Sequence, residues 1–132
     1  NEMSATAPNN VVFHGHTNME NAWPLIGLVV MPSRAEGLPL TALEAMSRGI
    51  PVIGAPVGAL PNLISPGNNG WIVEATAAEF AKAITHWLSL DESMKSSIRE
   101  NSISTIQNNY SSDAIIPEFV RCYKQAIGES NQ

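Results

Sequence analysis

Two glutamates, Glu36 and Glu44, stand with seven residues between them in the segment Pro32–Met46. Ionised carboxylates only accept hydrogen bonds, so they suit ligands rich in hydroxyl groups. The segment leaves an apolar stretch, Leu28–Met31, that reads as a strand. It enters a helix predicted over Pro39–Arg48, with proline in the first turn and Gly49 just past the end. Glu36 falls in the loop and Glu44 inside the helix. In an open α/β sheet, ligands bind outside the carboxyl ends of the strands. A carboxylate on each side of that junction could grip a polyhydroxyl ligand.

Each glutamate also has a plainer reading. On a helical wheel Leu40, Leu43 and Ser47 cluster, and Glu44 falls within their arc, on or beside the predicted buried stripe. There it could accept from ligand hydroxyls, since an unpartnered buried charge is costly. It could equally pair with Arg48, four residues on. Glu36 could be a carboxylate favoured by the helix dipole. Gly37 lets the backbone come close to a ligand. The N–H groups of Leu40 and Thr41, in the first turn, are free to meet phosphate oxygens.

Other candidates are weaker. His14 and His16 flank Gly15 and could stack on a base or titrate near neutrality, but lack a third ligand for metal. Gly54–Gly58 is a turn after a strand and a poor phosphate cradle; no Gly-x-Gly-x-x-Gly or P-loop occurs. Trp71 and Trp87 read as core. Ser33 has no partners to activate it. Cys122, the single cysteine, excludes an internal disulfide and reads as a helical packing residue.

The elements that must position these residues follow from the pattern of 132 residues, 44% apolar and 14% charged. The net charge of −5 argues against a nucleic-acid partner. Asn1–Asn10 reads as a linker or disordered arm, without the pattern of a signal peptide. No apolar run is long enough to span a bilayer. Val11–Phe13, Leu28–Met31, Pro51–Gly54 and Trp71–Val73 read as four buried strands. Asn18 caps a short helix through Leu25, and Leu60–Ile64 forms another. Ala77, Phe80, Ala81, Ile84, Trp87 and Leu88 recur at helical spacing from about Thr76. Asp91 is expected to cap a helix with Met94, Ile98 and Ile106 on one side. Ser112 is expected to cap another that runs through Ile115, Phe119, Val120, Tyr123 and Ile127. Strands alternating with helices predict an α/β, Rossmann-like parallel sheet with helices on both faces, lacking its first strands.

At these residues the sequence resembles the retaining, GT-B-fold glycosyltransferases of family 4, the group 1 transferases. The resemblance runs in order through Phe13–His14–Gly15, Pro32–Ser33, Glu36–Gly37–Leu38–Pro39, Leu43–Glu44–Ala45–Met46, Gly49–Ile50–Pro51–Val52–Ile53 and Gly67–Asn68–Asn69–Gly70. It covers about Val11 to Tyr110. It implies that residues 11–132 are part of the carboxyl-terminal, donor-binding half of a GT-B fold. Glu36 is then the catalytic contact, holding donor-sugar hydroxyls near the anomeric carbon. Glu44 accepts from the ribose hydroxyls. The backbone of Gly37, Leu38, Leu40 and Thr41 meets the diphosphate or sugar, and Gly15 and His16 lie near the base.

The donor would be a UDP- or GDP-linked sugar, with no metal or other cofactor required. The partner would be an amino-terminal acceptor-binding domain absent from this chain, so the fragment alone is expected to be inactive. A role in surface polysaccharide or lipopolysaccharide synthesis, in the cytoplasm at the inner membrane face, is the family expectation. A nucleotide-sugar epimerase of related fold and a non-catalytic α/β binding module are the alternatives.

Overall fold

Val52, Ile53 and Gly54 are all buried, and side chains alternate between faces along a strand, so this strand is covered on both sides. It is β2 (Val52–Gly54), the middle of a parallel sheet ordered β1-β2-β3, with β1 (Val29–Met31) and β3 (Gly70–Ile72) beside it. The computed structural model describes residues 7–128. Val52 pairs with Val29 on one side and Gly70 on the other.

Among the described residues, five helices and a 3-10 turn surround the sheet. They are α1 (Met19–Ala22), the turn Trp23–Leu25, α2 (Leu40–Ser47), α3 (Leu60–Leu63), α4 (Ala77–Ser89) and α5 (Glu92–Asn109), and α6 (Ser112–Ala126) follows as a sixth helix. Val52 faces a core built from Ala42, Ala45 and Met46 of α2, Leu60 and Leu63 of α3, and Ile106 of α5. Ile53 faces the opposite core, with Phe80 and Ala83 of α4. Helices therefore cover both faces, as the sequence predicts. Among the described residues no helix is long and apolar enough to cross a membrane.

Val11–Phe13 is not a strand. It pairs with nothing in the sheet and all three side chains are exposed, Val12 at 68%. A strand is stabilised by a neighbouring edge, and no described strand offers one to this segment. The described sheet accordingly has three strands, not four. Of the predicted arm Asn1–Asn10, residues 1–6 lie outside the described residues. Residues 8–11 make a turn closed by Val11 N–H to Pro8 O at 2.9 Å.

The predicted helix ends shift by a residue. Pro39 is the N-cap of α2 and Arg48 its C-cap. Asn18 caps α1 by accepting from Glu20 N–H, but the helical hydrogen bonding tightens to a 3-10 turn at Trp23, where Pro24 has no N–H to donate. Ser111, not Ser112, caps α6 by accepting from Ala114 N–H. Met94 is exposed, and the buried side of α5 is Ile98, Ser102 and Ile106.

A polar staple holds α5 to the turn before β3. Asn69 is buried, and its side-chain oxygen accepts from Ser65 N–H at 2.8 Å. Its amide group donates to Leu63 O and to Thr105 Oγ1. The buried Ser102 hydroxyl lies 3.0 Å from Asn69 O, and Asn101 Nδ2 donates to Asn68 Oδ1 at 2.9 Å. Every polar atom of the Asn69 side chain is thus matched, the condition under which a buried amide stabilises rather than costs. Gly70 follows because a Cβ there would collide with Val52 O.

Helix α6 buries none of its residues. Ile116, Phe119, Val120 and Tyr123 are exposed along it, and so is Cys122, which therefore does not pack. The apolar spacing of this helix is real, but none of the described elements covers its face.

Candidate functional site

Glu36 lies in the loop between β1 and α2, half-buried, and Glu44 lies exposed on α2. The buried side of α2 is Ala42, Ala45 and Met46, whereas Leu40 is 68% exposed. The predicted stripe through Leu40 is therefore rotated: Leu40 and Glu44, one turn apart, share the outer side. Small alanines let α2 lie close to the sheet, which sends the larger Leu40 outward.

Nor does Glu44 pair with Arg48. Arg48 Nη2 meets Glu20 Oε1 at 3.0 Å, and its Nη1 donates to the main-chain oxygen of Glu44 at 3.1 Å. The guanidinium also lies over the Trp23 ring, 5.3 Å from its centre. These contacts draw Arg48 towards α1 and leave the Glu44 carboxylate without a hydrogen-bond or ion-pair partner among the described residues. The Glu36 carboxylate is likewise unpartnered among them.

The start of α2 is open in the same sense. The usual remedy for the free N–H groups at a helix N-terminus is a side-chain cap, contributing about 0.5–2 kcal/mol. The three longest helices have one: Thr76 for α4, Asp91 for α5 and Ser111 for α6. Helix α2 begins at Pro39 with no side-chain cap. Pro39 O takes the N–H groups of Ala42 and Leu43, which leaves those of Leu40 and Thr41 without an acceptor among the described residues. The loop and helix start thus present carboxylates and N–H donors together, groups that could meet sugar hydroxyls and phosphate oxygens respectively.

The loop itself is seated on the turn after β2. Ala59 N–H donates to Gly37 O at 2.9 Å, and Gly58 lies against Glu36 and Gly37. The sequence reading of Gly54–Gly58 as a weak cradle misses this role, for which the signal is a glycine at the end of that turn. Ala55 N–H reaches Met31 O at 3.2 Å, so the turn is anchored to the end of β1.

His14 and Gly15 line an apolar groove of about 480 Å³ with Thr17, Met19, Asn21 and Leu25. His16 is exposed and does not line it. Among the described residues no hydrogen bond ties this groove to the Glu36 loop, so the structure brings Glu36, Gly37, Leu38, Leu40, Thr41 and Glu44 together along one segment and leaves Gly15 and His16 on another. A second cavity, of about 460 Å³, is lined by Glu20, Trp23, Arg48 and Arg99 and by residues preceding β1 and β2, at the opposite end of the strands. No three His, Cys, Asp or Glu residues cluster as metal ligands among the described residues.

Comparison with known proteins converges on one family. The sequence model described as "Glycosyl transferases group 1" matches residues 1–90. A D-inositol 3-phosphate glycosyltransferase from Mycobacterium tuberculosis is 30% identical over 117 residues, which is 88% of this chain and 24% of that protein. The chain thus spans about a quarter of the length of the curated relatives it matches. Among solved structures, a sucrose-phosphate synthase from Thermosynechococcus elongatus superposes with a TM-score of 0.80 at 28% identity, over 92% of this chain and 31% of that one. The C-terminal domain of a group 1 family protein from Francisella tularensis gives 0.65 at 26% identity, over 77% and 52% of the two chains. Anabaena HepE, solved in complex with UDP, gives 0.72 at 22% identity over 79% and 29%, a likeness of fold.

Proposed function

This chain belongs to the group 1 glycosyl transferases, and we propose that it forms the part of the enzyme that binds a nucleotide diphosphate sugar. The observation that carries the reading is the unpartnered pair Glu36 and Glu44 beside an uncapped helix start, at the carboxyl end of a parallel sheet. Glu44 accepts from the ribose hydroxyls of the nucleotide. Glu36 accepts from hydroxyls of the transferred sugar and holds its anomeric carbon for attack, with retained configuration. The N–H groups of Leu40 and Thr41 meet the diphosphate, and the backbone at Gly37 and Leu38 meets the transferred sugar. Gly15 and His16 lie towards the base.

The chemistry is consistent with that arrangement. Negative charge grows on the diphosphate as the glycosidic bond breaks, and fixed N–H dipoles stabilise it without reorganising. Carboxylates cannot serve the phosphates but can orient hydroxyls, and orientation supplies much of the rate in a two-substrate transfer. Donor binding of this kind requires no metal.

The relatives' names point to different acceptor chemistry, one naming inositol 3-phosphate as what is glycosylated and the other sucrose phosphate as what is made. Similarity that persists across that difference supports assigning this stretch to the donor side. The acceptor is then held by another domain of the whole protein. A product destined for surface polysaccharide or lipopolysaccharide, made at the cytoplasmic face of the membrane, belongs to the same proposal. Turnover requires that second domain, so this polypeptide alone binds donor without transferring it.

Calorimetric titration of UDP, GDP and ADP tests the reading. One of the three is expected to bind the wild-type chain, and Glu44→Ala to weaken it about tenfold or more, the equivalent of losing a charge-assisted hydrogen bond. Unchanged affinity in Glu44→Ala removes the ribose assignment. Binding of none of the three favours a non-catalytic α/β module.

A further inference from the structure

Between Met31 and Pro39 the chain makes very few bonds of its own. Among the described residues, the sole main-chain hydrogen bond made by Pro32–Leu38 is Ala59 N–H to Gly37 O, at 2.9 Å, and no side chain in the stretch makes one. Gly58, next to that donor, has φ +55°. A Cβ at this position would collide with the Glu36 carbonyl oxygen and lie 2.7 Å from both the Glu36 carbonyl carbon and Gly37 O. All three are main-chain atoms, which cannot swing aside as a flexible side chain would.

The turn beneath is well tied. Ala55 N–H reaches Met31 O, and Leu60 N–H reaches Val57 O, both at 3.2 Å. Leu63 N–H bonds back to Ala59 O at 3.1 Å. A firm turn therefore carries a loop that has little else to hold it.

We infer that Gly58 is a positioning residue for Glu36: its bare α-carbon and the adjacent Ala59 N–H form the seat that fixes the Glu36–Gly37 main chain beside the start of α2. This rests on the donor-binding reading, in which Glu36 meets the sugar. Gly58 touches no ligand; it acts through the loop. A side chain here lifts the loop off its hydrogen bond and moves Glu36, and a displacement of about 1 Å in a positioned group can cost on the order of a hundredfold in rate. Glu44, held by α2, stays in place.

Gly67 supplies the control. It has φ +78°, and a Cβ there would meet nothing within 4 Å. Gly67→Ala therefore imposes left-handed backbone strain without touching a neighbour, whereas Gly58→Ala imposes both. Amide hydrogen exchange measured by NMR on the wild-type chain and both variants separates the two effects. In Gly58→Ala the Ala59 amide is expected to exchange at least tenfold faster, while Leu63 and Ile64 in α3 and its C-cap keep their protection. In Gly67→Ala the Ala59 amide is expected to match wild type. An Ala59 amide that stays protected in Gly58→Ala, or is lost equally in Gly67→Ala, overturns the seat.

The second measurement compares UDP, GDP and ADP with their glucose conjugates. For the nucleotide that binds, Gly58→Ala is expected to keep the diphosphate affinity within twofold and to lose the added affinity of the sugar, as Glu36→Ala does. Equal loss for nucleotide and nucleotide sugar indicates general damage and overturns the positioning role. A wild-type chain that binds none of the probes rejects the donor reading, while the exchange measurement still decides whether Gly58 holds the loop.

Discussion

The loop Pro32–Leu38 and the turn Ser65–Asn69 are both rich in residues that favour turns, yet they are finished in opposite ways. The turn is closed by its own side chains: Asn69 satisfies Ser65 N–H, Leu63 O and Thr105, and Asn68 meets Asn101. The loop has a single main-chain bond, to Ala59, and ends at a helix start without a side-chain cap. The turn precedes β3 and the loop follows β1, so they lie towards opposite ends of the strands. Polar groups consumed internally hold a fold together. Polar groups left open at the carboxyl end of a sheet are available to a ligand.

The contrast breaks most visibly at Asn69. Asn69→Ala strands the buried Leu63 O and leaves Ser65 N–H and Thr105 Oγ1 without their part-buried partner, and is expected to cost about 2–3 kcal/mol in urea unfolding, with nucleotide affinity preserved. A cost below about 0.5 kcal/mol would make the turn as dispensable as any surface loop. Glu36→Ala and Glu44→Ala should do the reverse: unfolding free energy within about 0.5 kcal/mol of wild type, with ligand binding weakened. Destabilisation by either would assign that carboxylate to the fold. The smallest effect belongs to the exposed edge of the staple. Asn101→Ala removes two solvent-facing hydrogen bonds, to Asn68 O and Oδ1, and is expected to cost about 0.5–1 kcal/mol; a value matching Asn69→Ala would show that burial is not what sets the difference.

Much of this was legible in residue order. The apolar run behind β2 anticipates a strand covered on both faces, as parallel strands are; the run behind β1 overstates its burial, because Val30 is exposed. Thr76 and Asp91 declare their helices by capping chemistry. Val11–Phe13 shows the limit: three apolar residues satisfy the pattern of a buried strand, but pattern does not supply the neighbouring edge. Glu44 shows another. The wheel weighted Leu40 as core because leucine is the larger hydrophobe, whereas close packing on the sheet selected Ala42 and Ala45. Asn69 and Gly58 were hidden for a related reason. Their partners, Thr105 and Glu36, are distant in sequence, and only the fold brings them together.

The central place of β2 also orders assembly in time. Among the described strands β1 is synthesised first, and the edge it shares with β2 is filled only when Val52–Gly54 follows it. Once β2 is present, β3 can add to its other edge through Gly70, Trp71 and Ile72. Each parallel pairing waits on one intervening helical crossover, so the loops to be closed are modest and their entropic cost grows only slowly with length. The strand whose side chains divide the two cores is therefore also the strand on which both pairings wait as the chain lengthens.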